Sequence, residues 1–489
     1  MKKINILLIG FGPHAQRIYY PIAQKDGREN NFEIIAAVDL VEKKKNIKKY
    51  LEKSNKKPKL LFAKDSDIFN EKISNNFSYK LLNLINKYTI TAVIIATDPL
   101  VHKPYAIWAL ENNLHILMDK PITVAPNAST NIAAAKKIYT DYIEINNLYK
   151  KQKIKNPLLV FNLMAQRRFH PAYIKIRKLI SEIFEKTNCP ITSIQSFHSD
   201  GQWRLPSEII DIDYHSYNYG FGKFSHTGYH SMDIMHWLIE AAESDAKKIN
   251  NVDIFTSVVR PTDFFTQLTT KDYKKIFKNY LKTKKYSDHE LSKKTSNFGE
   301  IDAFSIFAFK HNSKIVTLGS LNLVHNGFSQ RGWLYPNIKD LYKGNGRLRH
   351  ETHFIEQGPF QAISFISYQS KEINPNKKQG IYNIGGEYHL DIHIFRNNTL
   401  FPEWKSYEKI SIQDLDKNEM KGHSRGHQED ARRKCMLEFI ECINNEKKLS
   451  TSDLSIHLRS ATLMSGLYQS AARKFNNKNP LINLKFKYA

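Results

Sequence analysis

Four short runs early in the chain constrain its fold more than any other feature: "INILLIG" at 4–10, "FEIIAAVDL" at 32–40, "TAVIIATD" at 91–98 and "LHILMDKP" at 114–121. Each is apolar on both faces, as a strand must be when helices cover both sides of its sheet. Helix-compatible segments separate them, namely 13–24, "LLNLINKY" and "HKPYAIWALENN". Strands alternating with helices in this way predict a parallel, doubly wound sheet.

A chain of 489 residues exceeds what one core supports, so at least two domains are expected. The first is placed at 1–148, and the charged stretch "KKQKIKNP" is read as the crossing to a second domain at 149–489. There, "HPAYIKIRKLISEIFEK" and "HSMDIMHWLIEAAE" read as helices. "ITSIQSFHSD", "DAFSIFAF", "KIVTLGSLNLVH", "HFIEQG" and "EYHLDIHIF" read as strands. Strands that follow one another without helices imply a mostly antiparallel sheet, hence an α+β second domain. A Lys-rich segment at about 260–300 reads as an insertion, and helices return at about 427–475.

The formal charge of +25 raises nucleic acid as a partner. The lysines are scattered among Asn and Ile with no nucleic-acid-binding motif beside them, so they read as solvated surface. The cysteines, Cys189, Cys435 and Cys442, have no metal-ligand spacing, and three cannot all pair; they fit a reducing compartment, which makes the cytoplasm the expected location. No apolar run reaches the length of a membrane span, and the apolar run after "MKK" stops at "PHAQR" without a small-residue cleavage site.

The first turn, "GFGPHA", gives Gly10-x-Gly12-x-x-Ala15, the pattern of a dinucleotide-binding loop. Its first glycine permits the tight turn, the second lets the backbone approach a pyrophosphate, and the small Ala15 lets helix and strand close. Phe11 and His14 belong to the same loop. Asp39 ends the second run, where a carboxylate accepts from both ribose hydroxyls and repels a 2′-phosphate; this favours NAD, although Lys43, Lys44 and Lys45 leave NADP open. The same Asp would equally serve as a helix cap. Thr97, Asp98 and His102 follow the third run and are expected along the cofactor, because ligands bind outside the carboxyl ends of such strands.

Asp119-Lys120-Pro121 ends the fourth run on the same edge. There the Lys120 ammonium would exchange protons with a substrate hydroxyl or hold a carbonyl oxygen, and its bond to Pro121 is one of the few that can be cis. A second cluster, "FGKFSHTGYHSMDIMHWL", sets His226 and His230 four apart and His230 and Asp233 three apart, on one face if helical. Two histidines so spaced suit a metal pair, but neither a His-Glu-x-x-His pattern nor a third ligand accompanies them, so no metal is assigned. Capping and core packing are the plainer roles for them.

Taken in order, "GFGPHA", "AVDL", "ATDPLVHKPYAIWALENNLHILMDKP", "QRRFHPAY" and "SHTGYHSMDIMHWL" resemble the glucose-fructose oxidoreductase and inositol dehydrogenase family (Gfo/Idh/MocA). The resemblance covers most of the chain and is weakest over 260–300 and 335–420. It implies a Rossmann domain, a second domain with a large antiparallel sheet, and a homo-oligomer. The family's Glu-Lys-Pro appears as Asp119-Lys120-Pro121, which makes Lys120 the catalytic lysine. Its Asp-x-Gly-x-His-x-x-Asp appears with Gly228, His230 and Asp233, which makes His230 the acid/base; His226 stands where the family has Asp.

That exchange replaces a carboxylate by a group neutral or cationic near neutral pH. It points to an unusual substrate with an anionic group, for which Arg167 and Arg168 would suit a carboxylate or phosphate. The resemblance implies an NAD-dependent oxidoreductase acting on a sugar, cyclitol or derivative, with Lys120, His230 and His226 catalytic and Asp233 near the substrate. Two rivals remain open: a hydrolase or eliminase that oxidises its substrate transiently, and an NAD-binding regulator without activity.

Overall fold

The computed structural model describes residues 3–69, 71–212, 214–332, 346–370, 380–416 and 426–486. The chain divides into two compact units, one of Met1–Val124, Ile138–His170 and His423–Ala461, the other of Ala125–Lys137, Pro171–Gly422 and Thr462–Ala489.

In the first unit the four doubly apolar runs become the centre of a parallel sheet. β1 (Ile4–Ile9) lies between β2 (Phe32–Leu40) and β4 (Ala92–Ile95), with Ile9 level with Val38 on one side and Ile95 on the other. With β3 (Lys59–Ala63), β5 (His115–Met118) and β6 (Phe161–Leu163) the strand order is β3-β2-β1-β4-β5-β6. The order reverses between β1 and β4, and the carboxyl ends open a crevice there of the kind that accepts a dinucleotide. The loop after β1 and the residues after β4 and β5 all stand on this edge.

The helix His427–Ile443 completes the core of this unit. Its Ala431, Cys435, Met436, Phe439 and Ile440 are buried in one cluster with Ile6, Leu8 and Phe11. Arg433 grips Asp26 with two hydrogen bonds of 2.9 Å, and Glu438 accepts from the backbone N–H and hydroxyl of Thr451, each at 2.7 Å. The unit boundaries thus differ from a single crossing near residue 149. An apolar stripe shows that a helix is buried but not which core it completes. The "KKQKIK" stretch is also no linker: it forms the last turns of the helix Ile132–Lys155, where exposed lysines suit the negative end of the helix dipole.

The second unit is built on a nine-stranded sheet. Its strands are β7 (Ser193–Ser199), β8 (Asn251–Val259), β9 (Asp302–His311), β10 (Lys314–Val324), β11 (Leu348–Gln357), β12 (Gln361–Ser370), β13 (Asp391–Arg396), β14 (Tyr407–Ser411) and β15 (Ile482–Lys485). The order is β14-β13-β12-β11-β7-β10-β9-β8-β15, and only β7 and β10 pair in parallel. The fold is therefore α/β with a Rossmann sheet first and a mostly antiparallel sheet after it, as the sequence predicts. The expected insertion folds into short helices, Pro261–Gln267, Thr270–Ile276, Tyr280–Thr283 and Asp288–Thr295. Tyr273 and Tyr280 pack with Leu205 in a small core, so this segment is part of the unit rather than an appendage. No described helix is long and apolar enough to cross a membrane.

If the helix His427–Ile443 is integral to the parallel-sheet unit, Phe439→Ala should remove about 3–5 kcal/mol from its stability, read as a shift of the urea unfolding midpoint.

Candidate functional site

Gly10 follows β1 at φ +91°, a conformation that side chains rarely adopt. A Cβ there would stand 2.5 Å from the Ala96 carbonyl oxygen and 2.8 Å from the Thr97 nitrogen, so only glycine lets the loop close against the end of β4. Gly12 differs: its φ of −70° is ordinary and a Cβ would meet nothing within 4 Å. Space is therefore open beside the first turn of the helix Pro13–Arg17, whose N–H groups lack helical partners. Ala15 is fully buried, as close packing of helix on sheet requires.

Asp39 holds this loop to the end of β2. One carboxylate oxygen accepts from Phe11 N at 2.6 Å and the other from Leu40 N at 2.7 Å. Burial raises its pKa, and the two backbone hydrogen bonds and Lys43 oppose that rise. Asp39 is thus no helix cap; it carries a negative charge to the rim of the crevice. At the end of β4, Thr97 Oγ1 is buried without a hydrogen-bond partner among the described residues. A polar orphan, an open Gly12 and a closed Gly10 on one edge fit a bound dinucleotide. Asp98 is less directly involved, since it is exposed and accepts from Leu100 N at 3.0 Å as a cap.

The Lys120-Pro121 peptide is cis. His102 lies fully buried beneath it, with Nδ1 2.8 Å from the Pro121 carbonyl and Nε2 3.3 Å from that of Thr97. Burial lowers its pKa, against the pull of Asp119 and the two carbonyls. A neutral ring donates through one nitrogen only, and the shorter contact selects Nδ1. His102 therefore supports the Lys120 turn from below. Asp119 accepts from Lys120 N at 2.8 Å and lies 3.1 Å from His14 Nε2. Burial would raise its pKa, but His14, Lys120 and His102 hold the carboxyl well below the usual range. An ionised Asp119 thus ties the glycine-loop helix to the lysine turn.

The two arginines sit inside the first unit. Arg168 is almost fully buried, donating to the Thr451 carbonyl at 3.3 Å with a second nitrogen 3.4 Å from His457 Nδ1. Arg167, also buried, occupies the same short turn, Gln166–Phe169.

In the second unit, residues Phe224–Gly228 form a wide π-type turn leading into the helix Tyr229–Ile239. His226 lies in the wide turn and His230 in the regular helix, so a spacing of four does not by itself set them on one face. His226 is buried, stacked on His215 with ring centroids 4.8 Å apart and planes 9° from parallel. His230 is half-buried. Asp233 lies 3.4 Å from His236 Nε2; burial lowers the pKa of that ring, but Asp233 and Glu240 raise it further, for a net rise.

His226 lines a small pocket whose wall includes Asp200, Arg204, Thr227, His325 and Arg347. Asp200 is its hub. Lys223 Nζ, completely buried, donates to it at 2.5 Å, Thr227 Oγ1 donates at 3.2 Å, and Arg347 approaches to 3.5 Å. Burial disfavours the charge on both Asp200 and Lys223. Lys223, His198 and His325 nevertheless hold the Asp200 carboxyl far below its usual range, while the Lys223 ammonium lies below its own. Sequence reasoning misses this group. Its one signal is an Asp ending the run "ITSIQSFHSD", the same mark that singles out Asp39. Among the described residues no group of His, Cys, Asp and Glu is placed to hold a metal ion.

A glycine loop on the carboxyl edge of a doubly wound sheet, with an acidic residue ending the next strand, defines a dinucleotide-binding Rossmann domain. Residues 4–140 match the model of the Gfo/Idh/MocA oxidoreductase family, described by its NAD-binding Rossmann fold. No curated protein matches the chain. Among solved structures it is similar to levoglucosan dehydrogenase in complex with NADH and L-sorbose, at TM-score 0.59 and 13% identity over all of both chains. It is similar to the WlbA dehydrogenase from Bordetella pertussis with NADH and UDP-GlcNAcA, at 0.54 and 12%, covering 100% of this chain and 99% of that one. It is also similar to scyllo-inositol dehydrogenase from Lactobacillus casei, at 0.51 and 14%, covering 99% and 98%. At such identities the likeness is one of fold.

Gly12→Val should leave the unfolding temperature unchanged, because its conformation and surroundings tolerate a side chain, yet weaken NADH binding at least about tenfold in a fluorescence titration. Lys223→Met should cost about 3 kcal/mol by leaving Asp200 buried without its nearest cation, and the double variant with Asp200→Asn should regain most of that in urea unfolding.

Proposed function

We propose that this chain is an NAD-dependent oxidoreductase acting at a hydroxyl or keto carbon of a sugar, cyclitol or sugar derivative. The observation that carries the proposal is Lys120, beside an ionised Asp119 on the same sheet edge as the open Gly12 loop. Gly10, Phe11, Gly12, His14 and Ala15 would hold the pyrophosphate side of NAD, Asp39 its ribose, and Thr97 the region beside β4. Bound NAD supplies the acceptor or donor of a hydride at its nicotinamide ring. Lys120 moves a proton at the substrate oxygen or polarises its carbonyl. His230 takes the base role through its place in the motif, with Asp233 and His226 toward the substrate. An acidic Asp39 supports NAD over NADP, since a 2′-phosphate would meet its charge.

Levoglucosan dehydrogenase, holding L-sorbose, and the WlbA dehydrogenase, holding a nucleotide sugar acid, support a sugar-like substrate. The register of the second sheet supports self-association. Phe304 and Ile306 of β9, Leu318 of β10, Phe354 of β11 and Phe395 of β13 are exposed and fall on one face of the paired strands.

Lys120→Ala should lower kcat by roughly 10²-fold or more on any sugar or cyclitol that the wild type oxidises, while NADH binding measured by fluorescence persists. Unchanged turnover in that variant would refute the role of Lys120. Turnover of substrate without net change in NADH absorbance would favour the transient-oxidation rival instead.

A further inference from the structure

Beside the pocket of the second unit lies a ring nitrogen that no described residue uses. His325 follows β10, is 8% exposed, and lines the cavity beside Asp200, Thr227 and His226. Its backbone is anchored: its N–H donates to Asp302 Oδ1 at 2.6 Å, and its carbonyl accepts from Gln202 N at 3.0 Å. Its Nδ1 faces Asp200 Oδ2 at 3.6 Å, whereas its Nε2 is buried and has no hydrogen-bond partner among the described residues. A buried polar atom left unpaired is costly, so its presence beside this pocket calls for a partner that arrives.

The surroundings decide what that partner must be. The Asp200 carboxylate favours the proton on Nδ1, which leaves Nε2 as an acceptor. The charged groups around the ring are Asp200, Arg204, Lys223 and Arg347, with Asp302 at its backbone and the Tyr217 ring edge-on at 5.8 Å. Burial above all, with Arg204 and Lys223, pushes its pKa down to about 4 against the pull of Asp200, so the ring is neutral at physiological pH. Arginine and lysine side chains offer only donors, while a sugar hydroxyl needs an acceptor as well. Asp200 already takes Lys223 and Thr227, and Gln202 Oε1 takes Arg204 at 2.8 Å, so neither is a free acceptor. The position where the family motif has a carboxylate holds His226.

We propose that His325 is a substrate-binding residue of this cavity: with its Nδ1–H facing Asp200, it accepts at Nε2 a hydrogen bond from a hydroxyl of the sugar or cyclitol. This rests on the proposed polyol substrate.

The test is ¹⁵N NMR of the full-length chain labelled at its histidine nitrogens, with His325→Gln, or His325→Asn if that does not fold, assigning the resonances. The expected spectrum shows an unprotonated Nε2 and a protonated Nδ1 from about pH 8 down to about pH 5.5, and the Nε2 signal moves on adding at least one of D-glucose, L-sorbose or myo-inositol. A proton on Nε2, an ordinary histidine titration, or no response to all three sugars overturns the proposal. NADH fluorescence on the same sample separates the two readings. NADH binding with a silent Nε2 removes only the role of His325; a responsive Nε2 without NADH binding removes the oxidoreductase reading and leaves the sugar site.

Discussion

The carboxyl edge of the parallel sheet depends on a backbone contact that no side chain could share. Gly10 passes so near Ala96 and Thr97 that a single added carbon would collide with both, and its positive φ excludes most other residues. That approach closes the turn after β1 over the point where the strand order reverses. Asp39 then pins the loop through Phe11 N, and Asp119 reaches its helix through His14. The ends of β2, β4 and β5 thus meet around the loop after β1, and the lysine turn takes its position from that arrangement.

The second unit reaches a comparable result with charge. Asp200 is buried among Lys223, His198, His325 and Arg347, and removing any cation from such a site leaves an ion without its solvation. Burying a lysine and an aspartate together rarely improves stability over apolar packing, so a pair kept beside a pocket is better understood as orienting the groups around it. The stacked pair His215 and His226, held by the wide turn at Phe224–Gly228, lies in the same wall. Wide helical turns of this kind concentrate at functional sites because they aim a side chain that a regular helix would turn elsewhere.

Much of the site was legible because the signals are local. Gly10, Gly12, Ala15 and Asp39 are spaced along one strand-turn-helix-strand unit, and Lys120 ends a strand whose apolar run fixes its neighbours. Other contacts were not legible because the partner is remote. Arg167 and Arg168 look suited to a substrate anion, yet Arg168 donates to Thr451 and lies beside His457, far along the chain. His102 looks like a cofactor contact because it follows β4, yet it is buried between two carbonyls and supports the turn. The "KKQKIK" stretch looks like a linker by charge but has helix-forming residues and completes a helix.

By itself the sequence determined the strands of the first sheet, the glycine turn and the edge on which Lys120 stands, since each follows from side-chain periodicity and steric limits within a few residues. Only the tertiary structure decided that the helix His427–Ile443 completes the first core, that Asp200 gathers Lys223 and His325, and that the Nε2 of His325 is left without a partner among the described residues. Amphipathicity and charge say that a group must be covered or paired. Which distant group does so depends on the whole fold, because burial and pairing energies arise only after the chain has closed.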